Sequence, residues 1–313
     1  MKGTVVKSTG SWYQVHLENE EQLQSRIIGK FRLNGLKLTN PVAVGDEVQV
    51  EKGSDGTGLI KKILPRRNYM VRQSPRKKHH LHLLASNIDQ AILVMTITQP
   101  KLKQGFIDRF LLMTEPHDIP VTIVFNKSDV YDEGHVAVYE YLQEIYEEIG
   151  YQTMLVSAQE SHGLEELKSY LKDKVTLMSG QSGVGKSTLL NSLQPSLELR
   201  TTELSDYSGK GQHTTTFAEM HPLDFGGFII DTPGIKTLAF NNLEPMDVAH
   251  NFREFFKYSV DCKFADCTHR NEPHCAVKEA IEAEIISELR YHNYIQILEE
   301  IEEQNSWERH KGM

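Results

Sequence analysis

The feature that most constrains this 313-residue chain is the order of three short polar motifs, each following an apolar run. Asn126-Lys127-Ser128-Asp129 comes first, Gly180-Gln181-Ser182-Gly183-Val184-Gly185-Lys186-Ser187 second and Asp231-Thr232-Pro233-Gly234 last. The second has the G-x4-G-K-S spacing of a phosphate-binding loop. In the usual connectivity that loop opens its domain and the base-reading motif closes it. The rotated order requires the same parts joined with the termini elsewhere, a circular permutation.

The intervening pattern fits such a domain. Ala91–Met95, Val121–Phe125, Met154–Val156, Val175–Met178 and Phe228–Ile230 are continuous apolar runs separated by helical stretches. Continuous apolar strands linked by helices predict an α/β fold with a parallel sheet covered on both faces. The polar motifs then lie at the carboxyl ends of strands, where such sheets bind ligands.

The residue types specify the ligand. Gly180, Gln181, Ser182, Gly183, Val184 and Gly185 form a loop whose backbone N–H groups can close around a β-phosphate. Lys186 neutralises the β- and γ-phosphates, Ser187 ligates Mg²⁺, and Thr188 opens the helix whose N-terminus adds positive potential. Asp231 is expected to hold the same Mg²⁺ through water, and the Gly234 N–H to meet the γ-phosphate. The carboxylate of Asp129 can accept from both guanine N1–H and its exocyclic amine. Adenine offers neither, so GTP is expected over ATP. Asn126 and Lys127 brace that loop, and Ser157-Ala158 is the companion segment whose N–H reads the guanine carbonyl.

Gly209 to Thr216 is a polar, glycine-punctuated stretch where a mobile switch belongs. One threonine there is expected to complete the Mg²⁺ shell; Thr215 is favoured, though Thr214 and Thr216 are equivalent in sequence. Just beyond the Asp-x-x-Gly motif, where a water-orienting glutamine often stands, this chain has Ile235. An aliphatic side chain cannot orient water. His213 is therefore the local candidate for catalysis, beside the plain reading of a switch-loop histidine.

The ends of the chain differ in charge. The net charge is -9, yet residues 1–80 carry 15 Lys+Arg against 7 Asp+Glu, whereas residues 242–313 carry 8 against 15. Residues 1–71 alternate in short segments broken by glycine and asparagine, as a small β-barrel does. A barrel of the OB type would present basic and aromatic side chains to RNA; Trp12, Tyr13 and Phe31 could stack on bases, although aromatics in small barrels are more often core. From Arg66 to His80 six Arg or Lys stand without an acid and could track a phosphate backbone. Residues 242–313 read as an acidic helical module, with an interrupted apolar stripe of Ile281, Ile285, Leu289, Ile297, Leu298 and Ile301. The expected division is thus 1–71 barrel, 72–241 permuted GTPase and 242–313 helical module.

All three cysteines lie in that last module, as Cys262-x4-Cys267-x-His269-x5-Cys275. Three thiolates and an imidazole suit a closed, structural tetrahedral Zn²⁺ site, with His274 an alternative to His269. The absence of an apolar run long enough to span a bilayer, and of a signal-like N-terminus, leads to the expectation of a cytoplasmic protein without membrane contact.

Taken together, Asn126–Asp129, Gly180–Ser187, His213–Thr216, Asp231–Gly234, the Ala85–Gln90 entry and the Cys/His cluster make the chain resemble the RsgA (YjeQ) family of ribosome small-subunit-dependent GTPases. The resemblance covers essentially the whole chain. It implies an OB domain, a permuted GTPase and a zinc-binding helical domain, acting as a monomer on the small (30S) subunit and its rRNA. It further implies late-maturation assistance, with ribosome-stimulated hydrolysis of GTP to GDP promoting release. Two other readings stand beside it: an RNA scaffold that holds GTP with negligible hydrolysis, and a permuted GTPase acting on another RNA or protein. Because the chain leaves the GTPase soon after Gly234, nucleotide state is expected to reposition the helical module.

Overall fold

The computed structural model describes residues 1–27, 40–73, 81–199, 218–232 and 243–311. The strands β1 (Lys2–Ser8), β2 (Tyr13–Leu17), β3 (Gln22–Ile27), β4 (Glu47–Lys52) and β5 (Gly58–Ile63) form a closed five-stranded barrel, with β1 pairing both β2 and β4. Their alternating burial follows the period of two: Val5, Tyr13, Val15, Leu17, Leu23, Val48, Val50 and Ile60 point inward. Tyr13 is core, and Trp12 is stacked under the guanidinium of Arg26 at 3.7 Å. Phe31 lies outside the described residues.

A hairpin of β6 (Tyr69–Gln73) and β7 (Leu81–Ser86) leads into the second layer, so residue 71 falls inside a strand. Asp46 fastens the junction: it is fully buried, accepts from both Arg66 Nε and Nη2 at 2.6 Å, and accepts from Ser86 Oγ at 2.6 Å. Arg66 is thereby consumed in the interior and drops out of the basic run expected to track a polyanion; Arg67 pairs with Asp89 at 2.8 Å but stays exposed, and Arg76, Lys77 and Lys78 lie outside the described residues.

The central sheet runs β10 (Gln152–Leu155), β9 (Val121–Phe125), β8 (Gln90–Met95), β11 (Val175–Gly180), β13 (Phe228–Asp231), all parallel, then the antiparallel β12 (Glu219–Pro222). Alternate residues of each strand face opposite layers. Leu93, Ile123 and Phe125 meet α1 (Gln104–Thr114) and α2 (Glu133–Glu148); Ile92, Val94, Val124 and Ile229 meet α3 (Leu164–Leu171) and α4 (Lys186–Leu193). This double coverage is why the strands read as unbroken apolar runs. The edge strand β12 escaped the sequence reading because it is short and half polar. Its outer edge pairs with β1 of the barrel, making one continuous eleven-stranded sheet.

The last part comprises α5 (Pro245–Asn251), α6 (Arg253–Ser259), α7 (Ala276–Glu282) and α8 (Glu288–Lys311). Its core joins Val248, Phe252, Phe255, Tyr294, Ile297, Leu298 and Ile301 to Leu112 of α1. The helical stripe breaks between α7 and α8, where Glu284 takes a left-handed φ of 59°. That break shifts the phase: Ile286 is buried and Ile285 is exposed, against the sequence expectation for Ile285.

Candidate functional site

The carboxyl ends of the parallel strands bring the motifs together. Asn126 follows β9, Ser157 follows β10, Gly180 ends β11 and Asp231 ends β13. The base-reading and phosphate loops are stitched directly. Buried Asn126 donates through Nδ2 to the Val184 carbonyl at 2.9 Å and accepts from the Ala158 N–H at 3.3 Å. Lys127, at a left-handed φ of 67°, donates to the carbonyls of Gly183 at 2.9 Å and Gln99 at 2.6 Å. Burial lowers its pKa, against the pull of Asp129. Sequence reasoning missed two partners here, Gln99 and Tyr131. The Tyr131 hydroxyl donates to Asn126 O at 2.9 Å and accepts from the Ile97 N–H at 2.8 Å, and burial pushes it up to about 12. No local pattern signals these, because Gln99 and the Ile97 N–H come from just after the end of β8 while Lys127 and Tyr131 follow β9.

Asp129 is exposed at the rim, and Ser157 Oγ donates to its Oδ1 at 2.5 Å. Ser157 is itself fully buried and held by its N–H to the His162 carbonyl at 3.0 Å. Asp129→Asn tests the expected guanine contact, because it replaces an acceptor with a donor where guanine would present two donors. Loss of one charge-assisted hydrogen bond, about 1.5–3 kcal/mol, predicts a ten- to hundredfold weaker GTP affinity. Competition with a fluorescent guanine nucleotide would check it, and unchanged affinity would remove Asp129 from base recognition.

The phosphate loop leaves no room for side chains at two points. A Cβ on Gly180 would lie 2.3 Å from the Val94 carbonyl oxygen, and one on Gly185, at a φ of 91°, 2.6 Å from Asn126 Nδ2. Lys186 Nζ donates to the loop carbonyls of Gly180 at 3.0 Å and Gln181 at 2.9 Å. Its burial lowers its pKa and Asp231 opposes this. Among the described residues Asp231 Oδ1 is buried without a hydrogen-bond partner, and burial first, then Glu219, pushes this carboxyl up to about 6 despite Lys186. An orphaned buried carboxylate oxygen facing the loop's lysine fits a divalent cation, for which Asp231 and Ser187 are the oxygen donors present. Magnesium bound there supplies charge neutralisation of a triphosphate. Thr232 Oγ1 donates to Met178 O at 2.8 Å and fixes the end of β13. Ser182 and Gly183 are exposed at the loop crest, and Thr188 sits one residue past Ser187 on α4. His213, Thr214, Thr215, Thr216, Gly234 and Ile235 lie outside the described residues.

The second cluster is in the helical module. The ligand atoms of Cys262, Cys267, His269 and Cys275 all lie within 4.8 Å of one another. Cys275 Sγ and Cys262 Sγ stand 3.4 and 3.7 Å from His269 Nδ1, and 3.9 Å from each other. Tetrahedral zinc, with bonds of about 2.3 Å to sulfur and 2.0 Å to nitrogen, has edges of about 3.5–3.8 Å, so the four groups fit it. His269 is buried and His274 exposed, which is how the fold separates the two candidates. Burial pushes the Cys267 thiol up to about 12, so a cation is needed to displace its proton. Behind the cluster, Glu272 accepts from the Thr268 N–H and hydroxyl at 2.7 Å and from the Arg270 N–H at 2.8 Å. Burial alone would raise the Glu272 carboxyl, but these bonds hold it down at about 2.

Comparison with known proteins agrees with this geometry. The RsgA GTPase family matches residues 63–241, and the RsgA N-terminal domain matches residues 2–60. The chain belongs to the RsgA GTPase family. Among curated members, the small ribosomal subunit biogenesis GTPase RsgA of Phocaeicola vulgatus is 48% identical over 97% of this chain and 98% of its own length. That of Flavobacterium psychrophilum is 49% identical over 96% and 93%. The crystal structure of YjeQ from Thermotoga maritima superposes with a TM-score of 0.77 at 38% identity, covering 96% of this chain and 97% of that one. YloQ, a circularly permuted GTPase, gives 0.72 at 31% identity over 97% and 95%. The RsgA fold read from the sequence, a permuted P-loop GTPase with an N-terminal barrel and a C-terminal Cys/His module, is the fold observed. No helix among the described residues is long and apolar enough to cross a membrane.

Proposed function

We propose that this RsgA family member hydrolyses GTP to GDP and phosphate in the biogenesis of the small ribosomal subunit. The observation that carries the reading is the convergence of Asn126, Ser157, Lys186 and Asp231 at one end of the sheet from four separate strands. Relatives matched over nearly their whole length carry that function in their names.

In this reading Asp129, with Ser157 and Ala158, selects guanine. Residues 180–188 hold the phosphates, and Ser187 and Asp231 hold Mg²⁺ with Thr215. The Cys262, Cys267, His269 and Cys275 set holds one structural Zn²⁺. His213 stands in for the polar group that Ile235 cannot supply, so turnover by the protein alone is expected to be slow, on the order of 10⁻⁴ to 10⁻² per second. The protein works in the cytoplasm, as a monomer, in three parts with junctions near residues 71 and 241. The barrel and the helical module grip rRNA on either side of the GTPase.

The test is GTP turnover by the protein alone, with small subunits, with large subunits and with bulk RNA, with ATP as control. Stimulation selective for small subunits is expected, together with at least hundredfold loss in Lys186→Ala. Tight GTP binding with no stimulation by any of them would replace this reading with that of an RNA scaffold.

A further inference from the structure

The join between barrel and GTPase carries a line of charge that ends at the magnesium position. Register sets it: Lys7 of β1 lies directly opposite Glu219 of β12, and Glu219 directly opposite Asp231 of β13. Residues opposite one another in neighbouring strands share a face, with Cβ atoms about 4.5–5.5 Å apart. Ile229, two residues before Asp231, packs in the layer of α3 and α4, whereas Met220, one residue after Glu219, packs on the other face. Lys7, Glu219 and Asp231 therefore all point to the side of α4, the helix that carries Lys186. Along the sheet the charges run positive, negative, negative, with Lys186 beyond.

Two carboxylates placed opposite one another repel. The barrel offsets one of them: Lys7 Nζ donates to Glu219 Oε1 at 2.9 Å, across 212 residues of sequence. The side chains are 40% and 32% exposed, so the pair contributes little to stability. Its position matters more, because Glu219 is the acid next to Asp231 and its field acts on any cation held there.

We propose that Lys7 and Glu219 are positioning residues that tune the magnesium affinity of the nucleotide site, so that the seating of the barrel strand on β12 is felt at Asp231. This rests on the GTP and Mg²⁺ reading of the preceding section. With Lys7 seated, Glu219 is offset and magnesium is held less tightly. With Lys7 withdrawn, Glu219 adds its full charge and magnesium is held more tightly. A ligand that pulls β1 away from β12 would thus slow release of Mg²⁺-bound nucleotide, and one that presses them together would speed it.

The experiment is the Mg²⁺ dependence of fluorescent GDP dissociation from the full chain, comparing wild type, Lys7→Ala, Lys7→Arg, Glu219→Gln and the Lys7→Ala/Glu219→Gln double variant. Lys7→Ala is expected to lower the half-saturating Mg²⁺ about threefold to tenfold, and Glu219→Gln to raise it by a similar factor. Lys7→Arg should match wild type, and the double variant, in which the pair again carries no net charge, should fall back from Glu219→Gln towards wild type. Added salt should shrink every shift, since partly exposed charges are screened. A role confined to strand docking would move both single variants in the same direction, and that result, or no shift in either, overturns the proposal. Wild-type GDP dissociation that ignores Mg²⁺ would instead overturn the metal reading of Asp231, and this proposal with it.

Discussion

Replacing Cys267 by serine is expected to empty the metal site and unfold the C-terminal module while leaving the nucleotide site able to bind GDP. Cys267 and Cys275 are buried in the module's own core, in one cluster with Phe255, Tyr294 and Leu298. That core is small, and a structural zinc site in small domains contributes about 10–16 kcal/mol of apparent binding energy, which is folding energy. A serine oxygen is a poor replacement for a soft thiolate, and without the cation the remaining thiols return to a protonated, buried state. Elemental analysis should find about one zinc per wild-type chain and a large loss in Cys267→Ser. Hydrogen exchange should rise sharply over α6, α7 and α8, with β8, β9 and β11 still protected. Full zinc retention, or unchanged protection of the module, would remove the cluster from the role of structural metal site.

Arg290→Ala is expected to destabilise the protein by about 3–5 kcal/mol, the range found when one partner of a buried ion pair is removed. Arg290 is 2% exposed on α8 and reaches both Glu254 of α6 and Asp108 of α1. It donates from Nε to Glu254 Oε1 at 2.7 Å, from Nη2 to Glu254 Oε2 at 3.0 Å and from Nη1 to Asp108 Oδ1 at 2.5 Å. Asp108 also accepts from the Tyr146 hydroxyl at 2.7 Å and from Asn293 Nδ2 at 2.5 Å. The Phe252 ring lies 4.3 Å beneath the guanidinium. Truncation would leave two buried carboxylates with no cation between them. Denaturant unfolding of Arg290→Ala should show the loss, and Arg290→Met combined with Asp108→Asn and Glu254→Gln should recover most of it, because no buried charge then remains. A loss under about 1 kcal/mol in the single variant would mean that water reaches the site.

This network also bears on how the module responds to nucleotide. Sequence order alone suggests a module that swings as the segment after Asp231 changes. The structure ties the module instead to α1 and the turn that follows it, through Arg290 with Asp108, Arg109 with Glu300 at 3.0 Å, and Arg253 with Glu115 at 2.7 Å. A large swing would have to unpair a fully buried guanidinium. Movement of the module with nucleotide state is therefore expected to follow α1 as one body.

What the sequence by itself determined is the chemistry. Guanine recognition, phosphate binding and thiolate coordination each need particular side chains at fixed short spacings, so Asn126–Asp129, Gly180–Ser187, Asp231 and the Cys262–Cys275 cluster stand out as candidates from the sequence, and the fold brings the nucleotide motifs to one end of the sheet. Motif order revealed the permutation for the same reason, because each motif must sit at a strand end whatever the connectivity. The parallel sheet was legible because burial on both faces makes β8, β9 and β11 predominantly apolar, with no polar alternation and only small or satisfied polar residues such as Thr122 and Thr176 among them.

Only the tertiary structure decided the pairings between distant segments. It chose between His269 and His274 by burying one ring against the sulfurs and leaving the other in solvent. It spent Arg66 on Asp46, moved the helical stripe from Ile285 to Ile286, and placed Arg290 between two carboxylates, one of them 182 residues away. It also put Lys7 beside Glu219 and Glu219 beside Asp231. Those outcomes depend on register and packing between elements, which the local periodicity of a chain does not encode.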